Sequence, residues 1–151
     1  MLMDLHDNLR AEYVLIQGQY EAFDQRALSL KALATPLLGT GLAFGVKEHS
    51  VLIVLATAMI AICLWALEAI WKGFQYAYID RISLLEAWFR GEVADLKPFQ
   101  VFQAWSAAYR TRYGRLGATV RLMGAPFVAL PYAVIVLGAL LTIGYLTGGR
   151  G

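Results

Sequence analysis

Glu68 is the one acidic residue in an otherwise apolar run over 51–71. A charged side chain in lipid costs about 2.5–3.5 kcal/mol on insertion scales unless it is paired or hydrated. A partner is therefore required. Folding the chain about residues 48 and 49 brings Lys31 to nearly the depth of Glu68, and Lys72 follows one turn further along the same helix. This trio supports two kinds of chemistry. One is an ion pair at a membrane interface, with both lysines reaching toward water; the other is an acidic ring at the mouth of a cation pore. Thr35 and Thr40 lie on the preceding apolar run, where their hydroxyls either line such a pore or bond back to their own helix.

The second set of residues is basic. Arg110, Arg112, Arg115 and Arg121 interleave with Trp105, Tyr109 and Tyr113. On a regular helix Arg112 and Arg115 fall on one side of the apolar stripe, and Arg110 and Arg121 on the other. Ala107, Gly114, Gly117 and Ala118 keep the latter side shallow. Its two guanidinium groups stand roughly 16 Å apart at ~1.5 Å per residue, open to an anionic backbone, and the aromatic rings add the stacking surfaces of single-stranded nucleic-acid sites. The same pattern also fits a helix lying on anionic lipid or packed against its neighbours.

The elements that must position these residues are membrane helices. Residues 122–149 carry no charge over 28 positions, and about 20 apolar residues suffice to cross a bilayer. Two further apolar runs, 32–46 and 51–71, are separated only by Lys47, Glu48, His49 and Ser50, so they predict a helical hairpin. Eight Lys/Arg residues lie between 72 and 121, whereas Lys47 and Arg150 are the only ones in the hairpin loop and the tail. The positive-inside rule then places the N-terminus and 72–121 in the cytoplasm and the C-terminus outside. Five acidic residues against Arg10 in the first 24 positions are unlike the basic start of a secretory signal, and no cleaved leader is expected.

Helical periodicity extends the spans beyond the lipid. Leu2, Leu5, Leu9, Tyr13, Ile16, Tyr20, Phe23, Ala27 and Leu30 recur at steps of three and four, the seam of an amphipathic helix that runs into the first span. Pro36 is expected to kink it. Trp71, Phe74, Tyr78, Ile82, Leu85 and Phe89 carry the second span's stripe to a stop at Gly91, predicting one helix over 51–90. A further helix is predicted from Pro98, with Phe99, Phe102, Trp105, Tyr109, Tyr113, Leu116, Val120 and Met123 as its apolar face. Gly124 and Pro126 then permit a bend into the last span.

The expected fold is all-α and integral to the membrane, a single unit over 1–151. It comprises a cytoplasmic amphipathic helix (1–30), a transmembrane hairpin (31–71), a cytoplasmic helical pair (72–121) and a third transmembrane helix with an outward tail (122–151). Gly41 with Gly45, and Gly39 with Ala43, let helix backbones approach closely in lipid, either within one copy or between copies. No catalytic set is legible. His6 and His49 fall on opposite sides of the membrane, Cys63 is alone, and the Gly39–Gly41 pair lies inside a helix rather than after a strand. An enzyme, a metal and a cofactor are not expected.

Two stretches resemble known proteins. They are Glu12, Tyr13 to Tyr20, Glu21, Ala22, Phe23, Asp24, Gln25, Arg26 leading into Lys31, and Leu64, Trp65, Ala66, Leu67, Glu68, Ala69, Trp71, Lys72, Phe74, Gln75 through Arg81 and Glu86. They resemble the SLATT-like small bacterial inner-membrane effectors of nucleotide-linked anti-phage systems, the Hailong-type DNA-gated effectors among them. Three spans stand here where many such members have two. The resemblance implies an oligomeric pore, a tetramer for example, with a nucleotide or single-stranded DNA ligand and a partner nucleotidyltransferase. The alternative is a non-conducting membrane adaptor that anchors a partner protein.

Overall fold

A computed structural model describes residues 4–148; the expected outward tail with Arg150, and Leu2 of the first seam, fall outside them. Every regular element among the described residues is helical: α1 (Leu5–Lys47), α2 (Val51–Tyr76), α3 (Ile79–Phe89), α4 (Val101–Ala108), a π-helical segment (Tyr109–Tyr113), α5 (Leu116–Met123) and α6 (Pro126–Gly148). Three helical stretches are long and apolar enough to cross a membrane: α1, the 51–89 stretch and α6. This is a membrane-associated helical protein. The contacts of the described residues group into two compact units, one from residues 4–26 and 70–119, the other from 27–69 and 120–148.

In the second unit the helices meet through small residues. Lys47 ends α1, a turn through Glu48 and His49 reverses the chain, and Ser50 Oγ accepts from the Ile53 amide at 3.4 Å to start α2. A Cβ placed on Gly41 would lie 2.7 Å from Thr57 Oγ1, and one on Gly45 would lie 2.7 Å from Val54 Cγ2. Gly41 and Gly45 are thus spent on packing α1 against α2 within one copy. Gly39 meets nothing within 4 Å. Ala34, Leu38, Ala61, Tyr132 and Ile135 form one buried cluster, and Val54, Ala139 and Leu146 another.

The first unit is built around Leu9, Ile16, Leu85 and Leu96, with Tyr13, Tyr78, Ile82, Trp88 and Val101 packed against them. Beside this core Glu12 is fully buried and takes Arg81 in a two-pronged pair, at 2.8 and 3.0 Å. Arg81 also donates to the Lys97 carbonyl at 2.8 Å, and the Phe99 amide donates to Glu12 Oε2 at 2.6 Å. Every strong group of this network is satisfied, as burial of a charge pair demands.

Three expectations need correction. The 51–90 helix breaks at Ala77 and Tyr78, where bonds from Tyr78 to Gln75 and from Arg81 to Tyr78 tighten the turn; the Tyr78 ring there packs on Phe23 and Trp105. Pro98 does not begin a helix. Phe99 adopts φ +59, held by the amide bond to Glu12, and α4 starts only at Val101. The helix expected over 98–123 is three pieces, interrupted by the π-helical segment and again at Gly114 and Arg115. α1 runs from Leu5 through Lys47 with Pro36 inside it, the one long helix expected to enter the first span.

Other stops lie where the sequence puts them. α3 ends in a Schellman motif: Gly91 sits at φ +77, its amide donates to the Trp88 carbonyl, and the Glu92 amide donates to Ala87. Arg90 forks onto Glu92 at 2.7 and 3.0 Å, and this bond holds the Glu92 carboxyl below the usual range. α5 gives way at Gly124, and Pro126 opens α6.

Candidate functional site

Among the described residues, the membrane-compatible unit holds a polar cluster around Glu68. Glu68 on α2 is 3% exposed, and its Oε1 lies 2.7 Å from Lys31 Nζ on α1. Lys31 also donates to the Phe127 carbonyl at the start of α6, and Trp65 Nε1 donates to the Met123 carbonyl at 2.9 Å. Lys31 thus ties α1 to both α2 and α6. Glu68 Oε2 is buried without a hydrogen-bond partner, and so is the hydroxyl of Tyr132 on α6. The sequence located Lys31 and Glu68 but missed Tyr132, which reads as one more aromatic in an uncharged span. Lys72 does not join them: it pairs with Asp24 at 2.7 Å in the other unit, where Gln75 donates to Asp24 and to the Tyr20 carbonyl. Thr35 and Thr40 are exposed on α1.

The other unit holds the arginine and aromatic face. Trp105 and Tyr109 stack with rings parallel and centroids 5.4 Å apart, Phe74 packs on both, and Trp105 Nε1 donates to the Phe74 carbonyl. Tyr113 meets Tyr76 edge-on. Both tyrosines are half-buried and make ring contacts within this unit. Phe99 and Phe102, expected on the packed stripe, are instead 62% and 74% exposed. The strained Phe99 backbone turns this segment, and no periodicity argument could foresee it.

The π-helical segment resets the arginines. Its extra residue per turn closes with a bond from the Gly114 amide to the Tyr109 carbonyl at 2.7 Å. Arg110 and Arg112 are both exposed, and the guanidinium group of each is held by a neighbour. Arg110 donates to buried Ser106 Oγ at 2.7 and 3.1 Å, while Arg112 pairs with Asp80 at 2.8 Å. Shallow hollows lie on either side of Ala107 and Thr111: Phe102, Gln103 and Arg110 border one, Asp80, Leu84 and Arg112 the other. Arg115 is exposed past the break, and Arg121 belongs to the other unit. The single regular helix expected to carry both Arg110 and Arg121 is interrupted by the π-helical segment and at Gly114 and Arg115.

Among the described residues no three His, Cys, Asp or Glu side chains gather as a metal site. His6 lies against the rings of Trp88 and Phe89, His49 sits in the turn after α1, and Cys63 is exposed on α2. Comparison with protein-family models, with curated proteins and with solved structures finds no match.

Proposed function

We propose that this protein is an oligomeric, pore-forming effector of the bacterial inner membrane that serves anti-phage defence. Its N-terminus is cytoplasmic and its C-terminus faces outward. The unit bearing the arginines responds to an anionic nucleotide or short single-stranded DNA made or released by a partner nucleotidyltransferase, in keeping with the SLATT-like resemblance. Arg110 and Arg112 are the first contacts for such a ligand, with Arg115 beside them.

The observation that carries the pore is the outer face of α1. Ala34, Leu38 and Gly45 are buried on one face; at 100° per residue the opposite face carries Pro36, Gly39 and Ala43, flanked by Thr40 and Thr35. Small residues allow close approach of a second copy in lipid, and the threonine hydroxyls offer oxygens to a hydrated ion. The three helices of one copy pack around apolar clusters, so a conducting path lies between copies. In a Cys63→Ser background, Thr40→Cys in liposomes should react with a water-soluble methanethiosulfonate reagent. A thiol at position 40 that reacts only with lipid-soluble reagents contradicts a water-lined α1 face.

A second reading rests on Phe99, Phe102 and Leu116, the last 81% exposed. Apolar side chains so open to water suit an adaptor that assembles a partner protein and conducts nothing.

A further inference from the structure

Arg121 is exposed on α5, and among the described residues no carboxylate pairs with it, whereas Arg81, Arg90 and Arg112 each hold one. On the same short helix Leu116 is 81% exposed and Val120, one turn on, is 59% exposed. Spaced by four residues, the two share a face of α5, while Leu122 is buried on another. Gly117, one turn before Arg121, has open space where a Cβ would be, so a headgroup can come close to the helix there. An apolar face beside an unpaired arginine is the pattern of a helix that lies in the plane of a membrane surface.

Contacts with the ends of the spans set the depth of α5. The carbonyl of its last residue, Met123, accepts from Trp65 Nε1 on α2 at 2.9 Å. Trp65 stands one turn from Glu68, which pairs with Lys31, the last charge before the apolar run over 32–46. Lys31 in turn donates to the Phe127 carbonyl in the first turn of α6. The boundary between charged and apolar sequence therefore falls at one level on α1, α2 and α6, and α5 ends at that level. Indole rings and snorkelling lysines favour the same level of a bilayer. Lipid there covers Val120, and a phosphate group offers Arg121 the paired oxygens that a guanidinium fork fits. We propose that α5 is an interfacial helix whose Arg121 binds the phosphate of an anionic phospholipid, with Leu116 and Val120 seated among the first acyl carbons. An anionic lipid is favoured over a zwitterionic one because its phosphate carries no cation of its own. The assignment uses neither Arg110 nor Arg112 and is independent of whether the protein conducts.

The test places an NBD fluorophore on Val120→Cys of the full-length protein in a Cys63→Ser background. The protein is reconstituted in liposomes of phosphatidylcholine with a minor share of phosphatidylglycerol, and one lipid or the other carries brominated acyl chains as quencher. At equal mole fraction, brominated phosphatidylglycerol should associate with the labelled site about fivefold more strongly than brominated phosphatidylcholine, the gain expected for one basic residue at an anionic surface. Arg121→Gln should abolish the preference, Arg121→Lys should keep much of it, and iodide in the water should quench the label poorly. Added inorganic phosphate should not displace the lipid. Equal quenching by the two lipids, a preference unmoved by Arg121→Gln, or free access of iodide to the label overturns the proposal. Displacement by inorganic phosphate also overturns it, since Arg121 would then serve a soluble anion. No ion flux is read, so a protein that conducts nothing can still pass.

Discussion

Glu12 and Arg81 show how much one buried pair can fix. They join α1, α3 and the 97–99 segment through four hydrogen bonds. Removing one partner leaves an uncompensated charge, which costs about 3–5 kcal/mol. Arg81→Met should therefore lower stability by that order in chemical unfolding of the detergent-solubilised protein, and Glu12→Gln with Arg81→Met together should lower it less. A loss in the double variant equal to the sum of the losses in Arg81→Met and Glu12→Gln alone would show that the pair is not coupled. Phe99 makes the opposite case. Its left-handed backbone costs about 1–3 kcal/mol for a side chain other than glycine, while its ring is mostly in water. Phe99→Gly should leave stability unchanged or raise it by about 1 kcal/mol after the entropy cost of glycine; a clear loss would mean that the ring contributes packing.

At the scale of elements, the glycines of α1 divide by role. Gly41→Ala and Gly45→Ala each press a Cβ onto α2 and should destabilise the fold by about 1–3 kcal/mol, as overpacking does, seen as a lower melting temperature in detergent. Gly39→Leu has open space, so the single copy should melt as before while cross-linked oligomers diminish. Unchanged oligomers would remove this face from the interface. The sequence made helix content, the hairpin turn and the stops at Gly91 and Pro126 legible, because apolar runs, a left-handed glycine and a proline at a first helical position act locally. Lys31 and Glu68 were also legible, since one charge in a span needs one of opposite sign at its depth. The break at Ala77 and Tyr78, the π-helical segment and the late start of α4 were not. Each involves contacts from distant residues, Phe23 and Trp105 on Tyr78, Phe74 on Tyr109, and Glu12 on Phe99, which periodicity does not see. Tyr132 escaped for the same reason.

At the scale of the whole molecule, one unit is membrane-compatible and carries a polar cluster, and the other carries arginines on a π-helical turn. Charge neutralisation at those arginines should govern the response to ligand. Arg110→Gln with Arg112→Gln should weaken binding of a fluorescent short single-stranded DNA and flatten its dependence on salt, since each phosphate contact contributes to that slope. Equal binding and slope would remove the two arginines from the site. The most direct test of the central claim is ion flux from liposomes holding only this purified protein, with and without short single-stranded DNA or cyclic nucleotides. A gated pore predicts flux that changes when ligand is added, with that change lost in the double arginine variant. No flux under any of these conditions, from protein shown to be inserted and oligomeric, would contradict a pore and favour the adaptor.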